Sequence, residues 1–130
     1  MTFIAITMAT VCMAHSKDAA KAGQANGDNY VGDVITLNVY YTGPKGNAKK
    51  FVKEVERIGT ADSVRSEAGN IRYDYFLSRK NPDEVLLVEK WKGQKAVESH
   101  NATPMMKTIG KLKKKYGLTT VVERYVKKQQ

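Results

Sequence analysis

The residues best suited to chemistry in this chain are its single tryptophan, Trp91, and a histidine nine positions later, His100. An imidazole accepts a proton near neutral pH, and an indole offers a broad apolar face to an aromatic ligand. Glu89 lies two residues before Trp91 in the strand-like run VLLVEKW, so the two side chains point to the same face, together with Leu87. The pattern predicts a pocket that contains a proton acceptor.

Two other predicted strands supply further polar groups for such a pocket. Asn38 on the first strand would add an amide, and Tyr73 or Tyr75 on the second would add a phenol. An apolar cavity with a few convergent polar side chains is the usual form of a small-molecule site. These residues therefore predict that a small molecule binds between the sheet and the helices.

Each of these residues also has a simpler interpretation. Trp91 could be part of the core, as large aromatic residues usually are. His100 could lie near a helix C-terminus because that end favours a cation. Asn38 could be a rim residue without a role, and Glu89 could pair with a lysine.

Hydrophobic periodicity predicts the elements that hold these residues. Alternation rich in β-branched and aromatic residues indicates strands over residues 34–43, 70–78, 85–91 and 118–126. Apolar spacings of three and four indicate helices over about 45–64, 94–100 and 104–116. The order β-α-β-β-α-β predicts an α+β, ferredoxin-like fold, in which an antiparallel sheet carries its helices on one face.

Local signals define the ends of these elements. The apolar side of the first helix is predicted to consist of Ala48, Phe51, Val52, Val55 and Ile58. Thr103 is predicted to be an N-cap with Pro104 at the first helical position, and Gly117 is predicted to end that helix. Asn81-Pro82-Asp83 predicts the turn of a β-hairpin.

The N-terminus differs from the rest of the chain. Residues 1–14 carry no charge and predict a signal peptide, which makes the protein periplasmic or secreted, or cytoplasmic if the signal is not functional. The run is too short to span a bilayer, and Cys12 could accept a lipid instead. Residues 15–32 predict a polar linker, residues 33–127 the folded domain and residues 128–130 a tail.

Composition excludes several classes of function. The 22 Lys and Arg against 13 Asp and Glu give a net charge of +9, which permits acidic partners without identifying one. One cysteine and two histidines, with His15 in the predicted linker, do not predict a metal site. No Gly-rich dinucleotide fingerprint, phosphate-binding loop or nucleophile elbow occurs, so no nicotinamide or flavin is expected.

Taken jointly, residues 34–125 resemble the antibiotic biosynthesis monooxygenase superfamily, particularly its small quinol monooxygenases. The resemblance is carried by an acidic turn, a tyrosine in the second strand, a Glu-x-Trp step, a short helix with an alanine, a histidine and a Thr-Pro step. These are Glu67-Ala68-Gly69, Tyr73, Glu89-Lys90-Trp91, Ala96, His100 and Thr103-Pro104.

The resemblance implies a homodimeric α+β barrel, a pocket between each sheet and its own helices, and oxidation of a small dihydroxy-aromatic molecule by O2 without metal or flavin. It implies that His100 is the general base and that Trp91 packs on the substrate ring. Asn38 and Tyr73 would orient the substrate oxygens. The pocket would also include Glu89 and two positions where relatives carry Asn and a second His, here Leu87 and Met105.

Three alternatives follow from the same residues. Asn38, Trp91 and His100 resemble the triad of haem-degrading members, so haem is the alternative ligand. A dimer that binds a hydrophobic metabolite without catalysis is another. The third is nucleic-acid binding, in which residues 70–78 would form a central strand with exposed basic and aromatic side chains. The glycine-containing strand motif of RNA-recognition domains is absent, so a nucleic-acid partner is not expected.

Overall fold

The computed structural model describes residues 32–128, so the predicted signal peptide, Cys12, and nearly all of the predicted linker lie outside the described residues. Four antiparallel strands form one sheet in the order β2-β3-β1-β4. The elements are β1 Val34–Thr42, a 3-10 turn Pro44–Gly46, α1 Asn47–Arg57, α2 Thr60–Arg65, β2 Asn70–Leu77, β3 Glu84–Lys92, α3 Gly93–Asn101, α4 Pro104–Lys115 and β4 Thr119–Lys127. This is the predicted ferredoxin-like α+β fold.

The first helical segment differs from the single helix predicted over residues 45–64. Gly59 has a φ of +76°, a left-handed conformation that glycine adopts readily, and it separates α1 from α2. Ile58, predicted to face the core, is 41% exposed because α1 ends before it and the chain turns there. The other four predicted core residues of this helix are buried: Ala48, Phe51, Val52 and Val55.

Strand register decides which side chains face the helices. Ile35 pairs with Trp91, Leu37 with Glu89 and Val39 with Leu87, and paired residues of an antiparallel sheet point to the same side. The helices α1 to α4 cover this side and form the core with it. Its largest fully buried side chains are Trp91, Tyr73, Phe51, Ile35 and Leu87.

The connection between α3 and α4 has the predicted N-cap residue but not the hydrogen bond expected of it. Thr103 occupies the N-cap position with Pro104 in the first turn, but its side chain makes no capping hydrogen bond. Its hydroxyl instead donates to the backbone carbonyl of His100 at 2.8 Å. Thr103 therefore holds the last turn of the helix that carries the imidazole.

The opposite side of the sheet is not covered by any helix of the described chain. Phe76, Val121 and Tyr125 lie on it and are 42%, 63% and 54% exposed. β2 is an edge strand rather than the central strand that an RNA-recognition surface requires, and Tyr73 faces the helices. No helix within residues 32–128 is long and apolar enough to cross a membrane.

Candidate functional site

Two rings, those of Trp91 and His100, meet at the centre of the candidate site. Their centroids are 4.6 Å apart and their planes are inclined by 29°, so the imidazole stacks on the indole. Trp91 is 0% exposed and His100 is 2% exposed. The sequence predicted that these residues would meet between sheet and helices, and they do. They contact each other directly, however, which leaves no room for a substrate ring between them.

A carboxylate orients the imidazole. Glu67, in the turn between α2 and β2, lies 2.8 Å from Nδ1 of His100 through its Oε2 atom. An ionised carboxylate only accepts hydrogen bonds, so Nδ1 carries the proton that is shared with Glu67. In a neutral imidazole this leaves the lone pair on Nε2, which is the form required of a general base.

Local structure explains why a residue 33 positions away reaches His100. Gly69 has a φ of +81°, and an added Cβ would lie 2.6 Å from the Cβ of Ala96 in α3. The backbone carbonyl of Gly69 accepts a hydrogen bond from the amide of Lys92 at 2.8 Å. The absence of a side chain at Gly69 therefore lets the turn pack against α3, which brings Glu67 to His100.

A second carboxylate, that of Glu89, binds the ring nitrogen of the indole. It is 6% exposed, and its Oε2 accepts a hydrogen bond from Nε1 of Trp91 at 2.9 Å rather than pairing with a lysine. Burial raises the pKa of Glu89 above its ordinary value of 4.5, although the indole donor and the nearby His100 act in the opposite direction. Glu89 therefore fixes the indole at the cost of burying a carboxyl group.

The raised pKa of Glu89 predicts how stability depends on pH. Between 4.5 and the raised value the folded chain binds a proton that the unfolded chain has lost, so ionisation of Glu89 opposes folding as pH rises through this window. Glu89→Gln keeps a hydrogen-bond acceptor for Trp91 without this cost. As pH rises from 4.5, the free energy of unfolding of Glu89→Gln should therefore increase relative to that of the unmodified chain.

Urea unfolding of both chains at a series of pH values measures this difference. Glu84→Gln, at the less buried start of the same strand, is the matched control. Its stability relative to the unmodified chain should change less with pH than that of Glu89→Gln. A stability difference between Glu89→Gln and the unmodified chain that does not change with pH would contradict the prediction.

Three aromatic side chains extend the site away from His100. The ring of Tyr73 meets the imidazole edge-on at 6.1 Å between centroids, and its hydroxyl lies 3.5 Å from that of Tyr75. Phe51 of α1 packs against Tyr75 with ring centroids 6.4 Å apart. Burial raises the pKa of Tyr73 well above its usual range and that of Tyr75 to about 12, so both phenols stay protonated at neutral pH.

An open cleft of about 450 Å³ borders the far end of this aromatic row. Helix α1 and the edge strand β2 form its walls, and it is lined by Lys49, Val52, Lys53, Glu56, Tyr75 and Leu77. Its volume lies in the range of small-molecule sites, roughly 300–1,000 Å³. Tyr75 therefore links a cavity large enough for a ligand to the row of rings that ends at His100.

Not all of the predicted site residues come together. Glu89, Leu87 and Tyr73 are buried on the same side of the sheet as Trp91, and Met105 packs against the core from α4.

Asn38 lies apart from this group. It pairs with Val88 and Glu123, so its side chain points to the uncovered side of the sheet, away from His100. Its predicted place beside the imidazole is therefore wrong for the single chain. The haem alternative required Asn38, Trp91 and His100 together, and the sheet separates the first from the other two.

Among residues 32–128, no group of three or more His, Cys, Asp or Glu side chains is placed to hold a metal ion. The carboxylate of Glu67 is occupied with the imidazole through one oxygen, and its Oε1 atom is buried without a hydrogen-bond partner in the described chain.

Comparison with known proteins identifies the family and supports the fold. The family model described as antibiotic biosynthesis monooxygenase matches residues 34–112. A curated relative in Bacillus subtilis (strain 168), "Putative monooxygenase YcnE", is 29% identical over 70 residues, which are 54% of this chain and 72% of the relative.

Solved structures share the fold at low sequence identity. SnoaB, a cofactor-independent oxygenase from Streptomyces nogalater, superposes with a TM-score of 0.63 at 16% identity, covering 75% of this chain and 96% of SnoaB. A conserved protein of Bacteroides thetaiotaomicron superposes with a TM-score of 0.65 at 20% identity, covering 73% of this chain and 98% of that protein.

Proposed function

Because the chain belongs to the antibiotic biosynthesis monooxygenase family, we propose that it oxidises a dihydroxy-aromatic small molecule with O2, using His100 as the general base. The observation that carries the proposal is the buried imidazole held by Glu67 at 2.8 Å and by the indole of Trp91 at 4.6 Å. A histidine that merely fills the core needs no carboxylate on Nδ1.

The reaction balances without a further reductant. A hydroquinone and O2 give a hydroxyquinone and water: one oxygen atom forms a new C–O bond on the ring, and the other leaves as water. The ring supplies all four electrons. Removal of a phenolic proton makes the ring electron-rich enough to reduce oxygen, and this is the step that Nε2 of His100 would assist.

The remaining residues have supporting roles in this proposal. Glu67 holds the imidazole in the tautomer that leaves Nε2 free, and Trp91 fixes the plane of the ring. Leu87 and Met105 supply apolar surface, which favours exclusion of water from a reactive oxygen intermediate. A substrate hydroxyl has to approach His100 from the Nε2 side, since Glu67 occupies the other nitrogen.

Oxygen consumption by purified, chelator-treated protein tests the proposal. A panel of hydroquinones is incubated with the protein under ¹⁸O2, and the rate without protein is subtracted because quinols oxidise spontaneously. We expect one labelled oxygen in the product and one in water. Oxygen uptake no faster than the spontaneous rate across the whole panel would overturn the proposal.

We further propose that the uncovered side of the sheet packs against that of a second copy, as the family resemblance implies. Apolar residues such as Phe76, Val121 and Tyr125 are exposed on this side, and exposed apolar patches mark interaction surfaces. Sedimentation equilibrium should then give twice the 14.5 kDa mass of one chain, and a single-chain mass at micromolar concentration would contradict this.

A further inference from the structure

The positive charge of the chain is concentrated on two of its helices. Helix α1 carries four Lys or Arg against two Glu, and α4 carries five Lys and no acidic residue. Together the two helices hold seven of the nine net positive charges of the chain. They contact each other on the same side of the sheet, where Lys115 of α4 donates to Glu54 of α1 at 2.7 Å. Their charges therefore belong to one surface.

The exposed cations of this surface follow the helical repeat. Spacings of three and four place three cations on the outer side of each helix, opposite its buried residues. All six are exposed, and we call them the basic face: Lys50, Lys53 and Arg57 on α1, and Lys107, Lys111 and Lys114 on α4.

The carboxylates of these helices do not neutralise the basic face. Glu54 lies between α1 and α4, where it accepts from Lys115 and lies 3.8 Å from Arg57, so two cations share its single charge. Glu56 borders the cleft toward β2 together with two lysines of α1. The neighbouring helices α2 and α3 add no net charge, since each carries one carboxylate against one Lys or Arg. The surface therefore stays strongly positive after every carboxylate of the four helices is counted.

We propose that the basic face binds an anionic phospholipid surface, with its ammonium groups and Arg57 contacting the headgroup phosphates. Clusters of roughly four to eight Lys or Arg on a helical surface are typical of binding to such membranes. Within α1 and α4 no large apolar side chain is exposed, so attachment depends on charge rather than on insertion among acyl chains. The inference goes beyond the proposed function and does not depend on the chemistry at His100. The basic face also stays accessible when two copies pack through the uncovered sides of their sheets.

The geometry favours nucleic acid, the other large polyanion, less than a membrane. Proteins that bind single strands stack the bases on aromatic side chains. The exposed aromatic residues Phe76 and Tyr125 lie on the uncovered side of the sheet, opposite the basic face. A duplex is read by a helix or a pair of strands that enters a groove, whereas α1 and α4 lie side by side against the sheet. A broad layer of flexible cations therefore matches a surface of headgroups better.

Sedimentation of the full chain with lipid vesicles measures this binding. Vesicles that contain equal amounts of phosphatidylserine and phosphatidylcholine are compared with vesicles of phosphatidylcholine alone. We expect at least about tenfold tighter binding to the charged vesicles, because each exposed cation near an anionic membrane is attracted to it. High salt should release the protein, since exposed charges are screened. Equal binding to the two kinds of vesicle would overturn the inference.

Paired variants identify the residues responsible. Lys111→Gln/Lys114→Gln removes two cations of the basic face and should weaken binding to the charged vesicles by about tenfold or more. Arg79→Gln/Lys80→Gln removes the same charge from the exposed turn between β2 and β3 and should weaken it by less than about threefold. Thermal unfolding checks that both variants remain folded. An equal loss in the two variants would show attraction to the net charge alone and would overturn the inference.

Competition in the same assay distinguishes the membrane from nucleic acid. Single-stranded or duplex DNA is added to the charged vesicles at a phosphate concentration equal to that of the phospholipid. We expect most of the protein to remain with the vesicles. Release of the protein by DNA would overturn the inference and assign the basic face to nucleic acid.

Discussion

Replacing His100 with alanine is expected to lower the rate of quinol oxidation by about 10²–10⁴-fold, the usual contribution of general acid–base catalysis. The imidazole is buried, so His100→Ala also leaves a cavity beside Trp91 and loses stability. His100→Gln is the matched variant, because its amide still donates a hydrogen bond to Glu67 but offers no basic nitrogen.

Both His100 variants should lose the rate, which is followed by oxygen consumption at saturating quinol. The substrate affinity of His100→Gln should change much less than its turnover. A His100→Gln variant that keeps the rate of the unmodified protein would show that the imidazole only fills space.

Glu67→Gln separates orientation of the imidazole from the base itself. The amide oxygen can still accept from Nδ1, but the hydrogen bond to an ionised carboxylate that orients the ring becomes a weaker, neutral one. We expect about a tenfold lower turnover, followed by oxygen consumption, with a much smaller change in KM. A turnover equal to that of the unmodified protein would show that the carboxylate does not assist the base.

Gly69→Ala should cause the largest loss of stability among conservative changes near the site, about 2–4 kcal/mol. The φ of +81° costs an L-residue roughly 1–2 kcal/mol, and overpacking against α3 adds a similar amount. The new Cβ would lie 2.6 Å from that of Ala96, so the turn and the helix have to separate. Because the turn carries Glu67 and α3 carries His100, oxidation should slow as well.

A second substitution divides this loss into its two causes. Ala96→Gly removes the atom that the new Cβ meets, so the double variant Gly69→Ala/Ala96→Gly should lose less than the sum of the single variants. Urea unfolding of the four chains measures the coupling. Strictly additive losses would show that the turn and α3 do not press on each other.

The strands and the contact between Trp91 and His100 were predictable from local patterns. Alternation fixes which residues of one strand share a face, and the β-α-β-β-α-β order brings the strand that ends at Trp91 to the helix that carries His100. The start of α4 at Thr103-Pro104 was also predictable from local sequence, because proline favours the first turn of a helix.

Other features depend on long-range packing that a single strand or helix does not encode. Asn38 alternates with the core residues of β1, and only the register with β3 shows that its face is the one without helices. The pairing of Glu67 with His100 joins residues far apart in sequence. Gly69 indicated a turn, but nothing local indicated that α3 packs against that turn. Gly59 was a visible signal for the break between α1 and α2.

The stack of Trp91 on His100 gives the protein an intrinsic optical reporter. There is a single indole in the chain, so all of its tryptophan emission arises within 4.6 Å of the imidazole. Any ligand or substitution that displaces His100 should change the intensity or colour of that emission before the domain as a whole unfolds. Events at the site can thus be followed in solution without attaching a dye.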